Sequence, residues 1–171
     1  AATLNAIADS GHAEGTFILV RHAEKVDESR DPLLSGAGQV RARALATVLD
    51  RAGLDAVYAS QYRRTRLTAL PAAEAAGLEI IEDPVGGDLN QWASSFAGRL
   101  RAVHSGETVL VVGHSNTIPR LARELCDCEV GALADSDYDR LFIVRAGGGR
   151  RSSLIEVRYG AASAEDSAGK L

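Results

Sequence analysis

Residues 108–116 read Thr-Val-Leu-Val-Val-Gly-His-Ser-Asn, and this stretch decides the fold. Its unbroken apolar run, 109–112, predicts a strand inside a sheet that is covered on both faces. Residues 116–125 continue with a helical pattern in which Pro119 stands in the first turn. A buried strand that passes directly into a helix is the repeating unit of an α/β sheet, and His114 lies at the junction.

The same alternation extends along the chain. Further strands are predicted at 16–20, 55–59, 78–81, 141–144 and 154–159, and further helices at 35–51, 64–76 and 89–104. Pro71 is expected to kink or break the second helix, and the glycines at 147–149 predict a hairpin turn. The pattern therefore predicts a single α/β domain over residues 15–160, a three-layer α/β/α sandwich with a mainly parallel sheet. Residues 1–14 and 161–171 are small and polar, which predicts a flexible lead-in and a flexible tail.

Composition narrows the class of protein. The 171 residues are 46% hydrophobic and 25% charged with a formal charge of -4, which is typical of a soluble globular domain and argues against nucleic-acid binding. No apolar run approaches the roughly 20 residues needed to cross a membrane. Cys126 and Cys128 are too few and too close for a disulfide framework and are expected to be free thiols. The compartment, cytoplasmic or exported, stays open.

Basic residues follow three of the predicted strands. These residues are Arg21 and His22, then Arg63, Arg64 and Arg66, then His114. Because the carboxyl ends of parallel strands share one edge of the sheet, they predict a cationic cluster with imidazoles among guanidiniums. A phosphate dianion relieves the repulsion in such a cluster, since the planar fork of arginine matches phosphate oxygens.

Two further features bear on this cluster. Ser115 or Asn116 is expected to cap the helix after His114 and so aim its free N–H groups at the anion. His12 and His104 do not follow apolar strands, and both are predicted to be surface residues.

Four segments together resemble the histidine phosphatase superfamily, which includes the cofactor-dependent phosphoglycerate mutases and many small phosphatases. They are Phe-Ile-Leu-Val-Arg-His-Ala-Glu-Lys at 17–25, Leu-Ser-Gly-Ala-Gly-Gln at 34–39, the stretch at 57–69 around Ser60 and Arg64, and residues 108–116. They occur in the family's order, and as a set they are highly specific. The resemblance points to the small phosphatase branch.

The resemblance implies a role for each of four residues. His22 is the nucleophile that forms a phosphohistidine, and Arg21, Arg64 and a protonated His114 bind the phosphate oxygens. The family's spacing after the strand-end serine selects Arg64 over its neighbours. The resemblance implies no metal and no cofactor, and the expected substrate is a phosphorylated small molecule or a phosphohistidine protein.

The departures from the family pattern leave two alternative functions open. The mutases carry an asparagine after the first motif and a glutamate-containing stretch that binds sugar phosphate. Here residues 27–29 read Asp-Glu-Ser and the 82–98 segment is short, so a phosphoglycerate mutase is disfavoured. A phosphate-binding module without turnover is the other alternative.

The proton donor for the leaving group is not fixed by any motif. His114 is followed by Ser115, where acid phosphatases have an aspartate. The candidates are Glu82, Asp83, Asp88 and Glu24, of which Glu24 is expected rather to orient neighbouring arginines. Without a donor the enzyme would favour good leaving groups, as in phosphohistidine, acyl phosphates and aryl phosphates.

Overall fold

A computed structural model describes residues 13–163 of the chain. The described chain forms β1 (Gly15–Arg21), α1 (Gly36–Val48), β2 (Ala56–Ala59), α2 (Arg63–Ala76), β3 (Ile80–Glu82), α3 (Leu89–Val103), β4 (Thr108–Gly113), α4 (Ile118–Cys126), β5 (Arg140–Ala146) and β6 (Ser153–Arg158). These are the predicted elements with bounds that differ by a few residues. None of the helices within residues 13–163 combines the length and apolarity that a membrane span requires.

The six strands form one sheet in the order β3-β2-β4-β1-β5-β6. Strands β1, β2, β3 and β4 are parallel, whereas β5 runs antiparallel to both of its neighbours. In this register Arg21 at the end of β1 pairs with Gly113 at the end of β4, and Ala59 at the end of β2 pairs with Val112. The residues that follow these three strands therefore emerge side by side at one edge of the sheet.

Helices cover both faces of the sheet. Alternate residues of β1 enter opposite cores: Phe17 and Leu19 pack toward α3 and α4, whereas Ile18 and Val20 pack toward α1 and α2. All four side chains are buried because the strand is central and both faces are covered. The predicted three-layer α/β/α sandwich with a mainly parallel sheet is confirmed.

Two local details differ from the sequence analysis. Pro71 does not break α2, which runs from Arg63 to Ala76 with the proline inside it, whereas the kink stays a prediction. Neither Ser115 nor Asn116 caps α4, because the helix starts later, with Thr117 at its N-cap position and no side-chain cap bond. The Thr117 hydroxyl instead accepts a hydrogen bond from the backbone N–H of His114 at 2.9 Å.

The beginning of the predicted tail is fixed to the domain. The Ser163 hydroxyl accepts hydrogen bonds from the backbone N–H groups of Tyr138 (2.8 Å) and Asp139 (3.1 Å). The carbonyl of Ala161 accepts a hydrogen bond from the buried Arg41, which needs such acceptors. Residues 161–163 therefore contact the domain, and the flexibility of the tail stays a prediction. Residues 164–171, the lead-in through residue 12 and His12 lie outside the described residues.

The cysteines are not free thiols. Cys126 and Cys128 form a disulfide at the end of α4, with their Cα atoms 5.1 Å apart. Between them Asp127 takes up a left-handed conformation, with φ of 49°. A disulfide that closes so small a ring adds little constraint to the unfolded chain.

His104 is buried, although its position in the sequence predicts a surface residue. Its Nδ1 lies 2.6 Å from a carboxylate oxygen of Glu107, and its Nε2 lies 2.8 Å from the hydroxyl of Tyr58. Both ring nitrogens are therefore satisfied beneath α3. His104, which ends α3, therefore takes part in packing this helix against the sheet.

Candidate active site

The carboxyl ends of β1, β2 and β4 surround an open pocket of about 420 Å³. Its lining residues come from five separate parts of the chain: Arg21, His22, Lys25, Tyr62, Arg64, Val85, Gly86, Leu89, His114, Ser115, Asn116 and Asp135. The four side chains that the sequence singles out, at positions 21, 22, 64 and 114, all line it. The cationic cluster predicted from the strand ends is therefore present in the fold.

His22 is buried and is held by backbone groups on two sides. Its Nδ1 lies 2.8 Å from the carbonyl oxygen of Ala23, and its backbone N–H donates to the carbonyl of Gly113 at 2.8 Å. A carbonyl oxygen only accepts, so Nδ1 carries the ring hydrogen and Nε2 keeps its lone pair. Burial, aided by the nearby Arg21, lowers the pKa of His22 to about 3, so the ring is neutral at physiological pH.

Arg21 joins the pocket to the segment that precedes β5. Its Nη1 donates to the carbonyls of Ala134 (3.1 Å), Asp135 (2.8 Å) and Asp137 (3.2 Å), and its guanidinium lies over the ring of Tyr138. Burial lowers the pKa of Arg21, whereas Tyr138 and the aspartates at 135 and 137 act in the opposite direction. The end of β1 therefore fixes the position of the 134–138 segment.

Arg64 and His114 lie next to each other on the other side of the pocket. Arg64 Nη2 is 3.5 Å from His114 Nδ1, and the Arg64 guanidinium lies over the ring of Tyr62. The Nε2 of His114 is 2.8 Å from the hydroxyl of Ser60, which is 2.9 Å from the hydroxyl of Thr65. Since a guanidinium only donates, Nδ1 accepts and Nε2 carries the hydrogen of the neutral ring.

The surroundings of His114 favour its neutral ring, and the protonated ring expected to bind phosphate oxygens stays a prediction. Burial and the adjacent guanidiniums of Arg64 and Arg21 lower its pKa to about 4. A bound anion would oppose this shift, because negative charge favours the imidazolium form. The rings of His22 and His114 lie with their centroids 5.5 Å apart, close enough for both to contact one small ligand.

Two buried guanidinium nitrogens have no hydrogen-bond partner among the described residues, namely Nε of Arg21 and Nε of Arg64. Leaving a buried charged donor unpaired is costly, about 1–3 kcal/mol or more. A tetrahedral oxyanion would supply acceptors to both arginines. The arrangement is that of an anion site made by a few local cations in a protein of net negative charge.

The four predicted proton donors do not line this pocket. Asp88 caps α3 by accepting from the N–H groups of Asn90 and Gln91, and Glu82 pairs with Arg66 at the surface. Asp83 accepts from Trp92 Nε1 at 2.9 Å and pairs with Arg99. Glu24 is engaged by Arg41, with Arg41 Nη2 2.7 Å from its carboxylate. Each of these carboxylates has a structural partner, and the role of any of them as proton donor stays a prediction.

Several pocket residues were not predicted from the sequence. In the sequence, Ser60 is only the reference position from which the family's spacing selects Arg64. In the structure, its hydroxyl orients His114. Lys25 and Tyr62 stand within the quoted segments and could have been found from their distance to His22 and Arg64. Asp135 stands in none of the quoted segments, and no motif assigns it a role.

Within the described part of the chain, no three His, Cys, Asp or Glu side chains come close enough together to hold a metal ion. The pocket's polar groups are chiefly nitrogen donors, a chemistry that suits an anion.

The chain is similar to known proteins over part of its length. Residues 17–85 match the model of the histidine phosphatase superfamily (branch 1). A phosphoserine phosphatase 1 from Hydrogenobacter thermophilus is 45% identical over 74 residues, covering 39% of this chain and 35% of that protein. A probable phosphoglycerate mutase, GpmB, from Serratia proteamaculans is 34% identical over 95 residues, covering 52% of this chain and 38% of that protein. The matches thus span little more than a third of these curated relatives.

Similarity also extends to solved structures. The protein histidine phosphatase SixA, solved with tungstate, aligns with a TM-score of 0.67 at 17% identity, over 84% of this chain and 96% of that one. At this level of identity the likeness shows a shared fold. It covers the sheet and both helical layers rather than the motif segments alone.

Proposed function

Because the chain belongs to the histidine phosphatase superfamily, we propose that it is a phosphatase that hydrolyses a phosphomonoester or a phosphohistidine through a covalent phosphohistidine on His22. The observation that carries this proposal is the state of His22. Its ring is neutral and its Nδ1 is tied to the Ala23 carbonyl, so the lone pair of Nε2 is available to attack phosphorus.

In this proposal the remaining cluster binds the phosphoryl group. Arg21 and Arg64 contact its oxygens, and their unpaired Nε–H groups gain acceptors when the anion enters. His114 takes up a proton as the dianion binds, and its Nδ1 becomes a donor while Nε2 stays bonded to Ser60. Phosphoryl transfer depends mainly on such positioning and charge stabilisation, so the fixed cations do the work that a metal does elsewhere.

The pocket's shape bears on the substrate class. It is open, and the 82–98 segment contributes only Val85, Gly86 and Leu89 to its lining. An open entrance with few specific contacts suits either a small phosphomonoester or a phosphohistidine presented on a protein surface. Relatives named for phosphoserine and, at the level of the fold, for protein histidine phosphatase activity fit both possibilities.

The test is hydrolysis of an aryl phosphate in the presence of a chelator, followed by trapping of the intermediate. Brief incubation with ³²P-labelled substrate and an alkaline quench is expected to leave acid-labile label on the protein, and His22→Ala is expected to lose both label and turnover. Turnover that survives in His22→Ala would rule out the proposed nucleophile. A protein that binds phosphate without hydrolysing any substrate would instead be a binding module.

A phosphoglycerate mutase remains the second candidate, favoured by the 34% identity to the probable mutase of Serratia proteamaculans. Formation of 2-phosphoglycerate from 3-phosphoglycerate would identify it. The short 82–98 segment argues against this outcome.

A further inference from the structure

Asp135 differs from every other carboxylate in residues 13–163, because it alone lines the pocket. Its side chain is exposed at the rim, and its carboxylate makes no hydrogen bond or ion pair with the other described residues. The acids nearer to the motifs, by contrast, are engaged with arginines, a tryptophan or helix N–H groups.

The backbone of Asp135 is fixed although its carboxylate is free. Its carbonyl accepts from Arg21 Nη1 at 2.8 Å. On either side the backbone N–H of Ala134 donates to the Asp137 carboxylate at 2.9 Å, and the N–H of Asp137 donates back to the Ala134 carbonyl at 3.0 Å. The guanidinium of Arg21, which lines the pocket, thus fixes the backbone position of Asp135.

From this geometry we propose that Asp135 is the proton donor to the leaving group, an assignment that rests on the phosphatase activity proposed above. In-line transfer puts the leaving oxygen on the side of phosphorus opposite the nucleophile. His22 is buried at the floor of the pocket, so that oxygen faces the rim, where Asp135 stands.

Asp135 accounts for both proton transfers of the reaction. Nε2 of His22 forms a bond to phosphorus, the P–O bond to the leaving group breaks, and the oxygen takes the electron pair with the proton of the Asp135 carboxyl. The resulting carboxylate then accepts a proton from the water that attacks the phosphohistidine. The P–N bond breaks, which releases inorganic phosphate and restores both residues.

Other polar groups at the rim are weaker candidates. The ammonium of Lys25 is paired with Glu28 at 2.6 Å, and the ring of Tyr62 lies under the Arg64 guanidinium and meets the His114 ring in an edge-to-face contact. A carboxyl group is also a much stronger acid than either an ammonium or a phenol.

The experiment measures kcat/KM for three substrates whose leaving groups differ in basicity: 4-nitrophenyl phosphate, phenyl phosphate and propyl phosphate. Asp135→Asn is expected to lower kcat/KM for propyl phosphate by about 10²–10⁴-fold. For 4-nitrophenyl phosphate, whose leaving group needs no proton, we expect a loss of less than about tenfold. Asp135→Glu keeps a carboxyl and is expected to regain part of the propyl phosphate activity.

Asp127→Asn is the matched control, because it removes the same charge from an exposed aspartate outside the pocket lining, and asparagine tolerates its left-handed conformation. It is expected to leave all three values unchanged. An equal loss for all substrates in Asp135→Asn, or no loss, overturns the assignment, as does a leaving-group-dependent loss in Lys25→Met instead. If the unsubstituted protein hydrolyses none of the three, or His22→Ala retains activity, the proposed function itself fails and the assignment falls with it.

Discussion

At the scale of single residues, the two pocket histidines are kept neutral by their surroundings rather than by a partner acid. His22 is tied to the Ala23 carbonyl, and His114 is bonded to the neutral hydroxyl of Ser60. Burial and two adjacent arginines oppose a further positive charge on either ring. The electrostatics that make the pocket attractive to an anion therefore also keep both rings unprotonated.

These two rings make folding stability depend on pH. Their pKa values in the folded protein are about 3 and about 4, below the 6.5 of an unperturbed histidine. The unfolded chain binds protons between pH 6.5 and 4 that the folded chain does not, so the free energy of unfolding falls as the pH falls through that window. His22→Asn is expected to reduce this slope by up to about 1.4 kcal/mol per pH unit, measured by urea unfolding between pH 7 and pH 4.5. A variant with the unchanged slope would contradict the lowered pKa of His22.

At the scale of elements, α1 approaches the β1 end so closely that only glycine fits. A Cβ atom on Gly38 would collide with the carbonyl oxygen of Glu24, two residues beyond His22. The same carbonyl accepts from the Ser35 N–H at 2.9 Å, and the Glu24 carboxylate binds Arg41 on the next turn. Helix α1 thus holds the segment that follows the nucleophile.

Gly38→Ala is expected to lower the free energy of unfolding by about 1–3 kcal/mol, because the backbone of Glu24 or of α1 must move. Phosphatase activity should fall as well, since the displaced segment carries His22. The control is Gly36→Ala in the same helix, where a Cβ meets nothing within 4 Å. That change should be neutral or stabilising by up to about 1 kcal/mol. Chemical denaturation of both variants measures the difference, and equal values for the two would argue against the close contact.

At the scale of the whole molecule, the pocket gathers side chains from five parts of one chain, so an anion that fills it should stabilise the entire domain. Inorganic phosphate at 100 times its Kd is expected to raise the free energy of unfolding by about 2.7 kcal/mol. Arg64→Ala should reduce this gain, whereas Arg66→Ala should not, because Arg66 pairs with Glu82 outside the pocket lining. Thermal denaturation with phosphate, against chloride at equal ionic strength, measures the effect. A gain that both variants keep would place the anion elsewhere.

The sequence predicts this molecule best where local pattern and global fold coincide. The apolar run of β4 and the residues after each strand end locate His22, Arg64 and His114, because parallel strands must bring their carboxyl ends together. The sequence predicts least where contacts between distant parts of the chain decide whether a residue is buried or lines the pocket. Asp135 enters the pocket through its carbonyl bond to Arg21, and His104 is buried by Tyr58 and Glu107, contacts that leave no periodic trace in the chain.

The hairpin between β5 and β6 turns through Gly147 and its two following glycines at the edge of the sheet opposite the pocket, since β5 runs antiparallel to β1. A peptide tag inserted at this turn would project away from the entrance. The protein could then be attached to a solid support with the pocket entrance directed outward, which would leave His22 accessible to ligands as bulky as the domain itself.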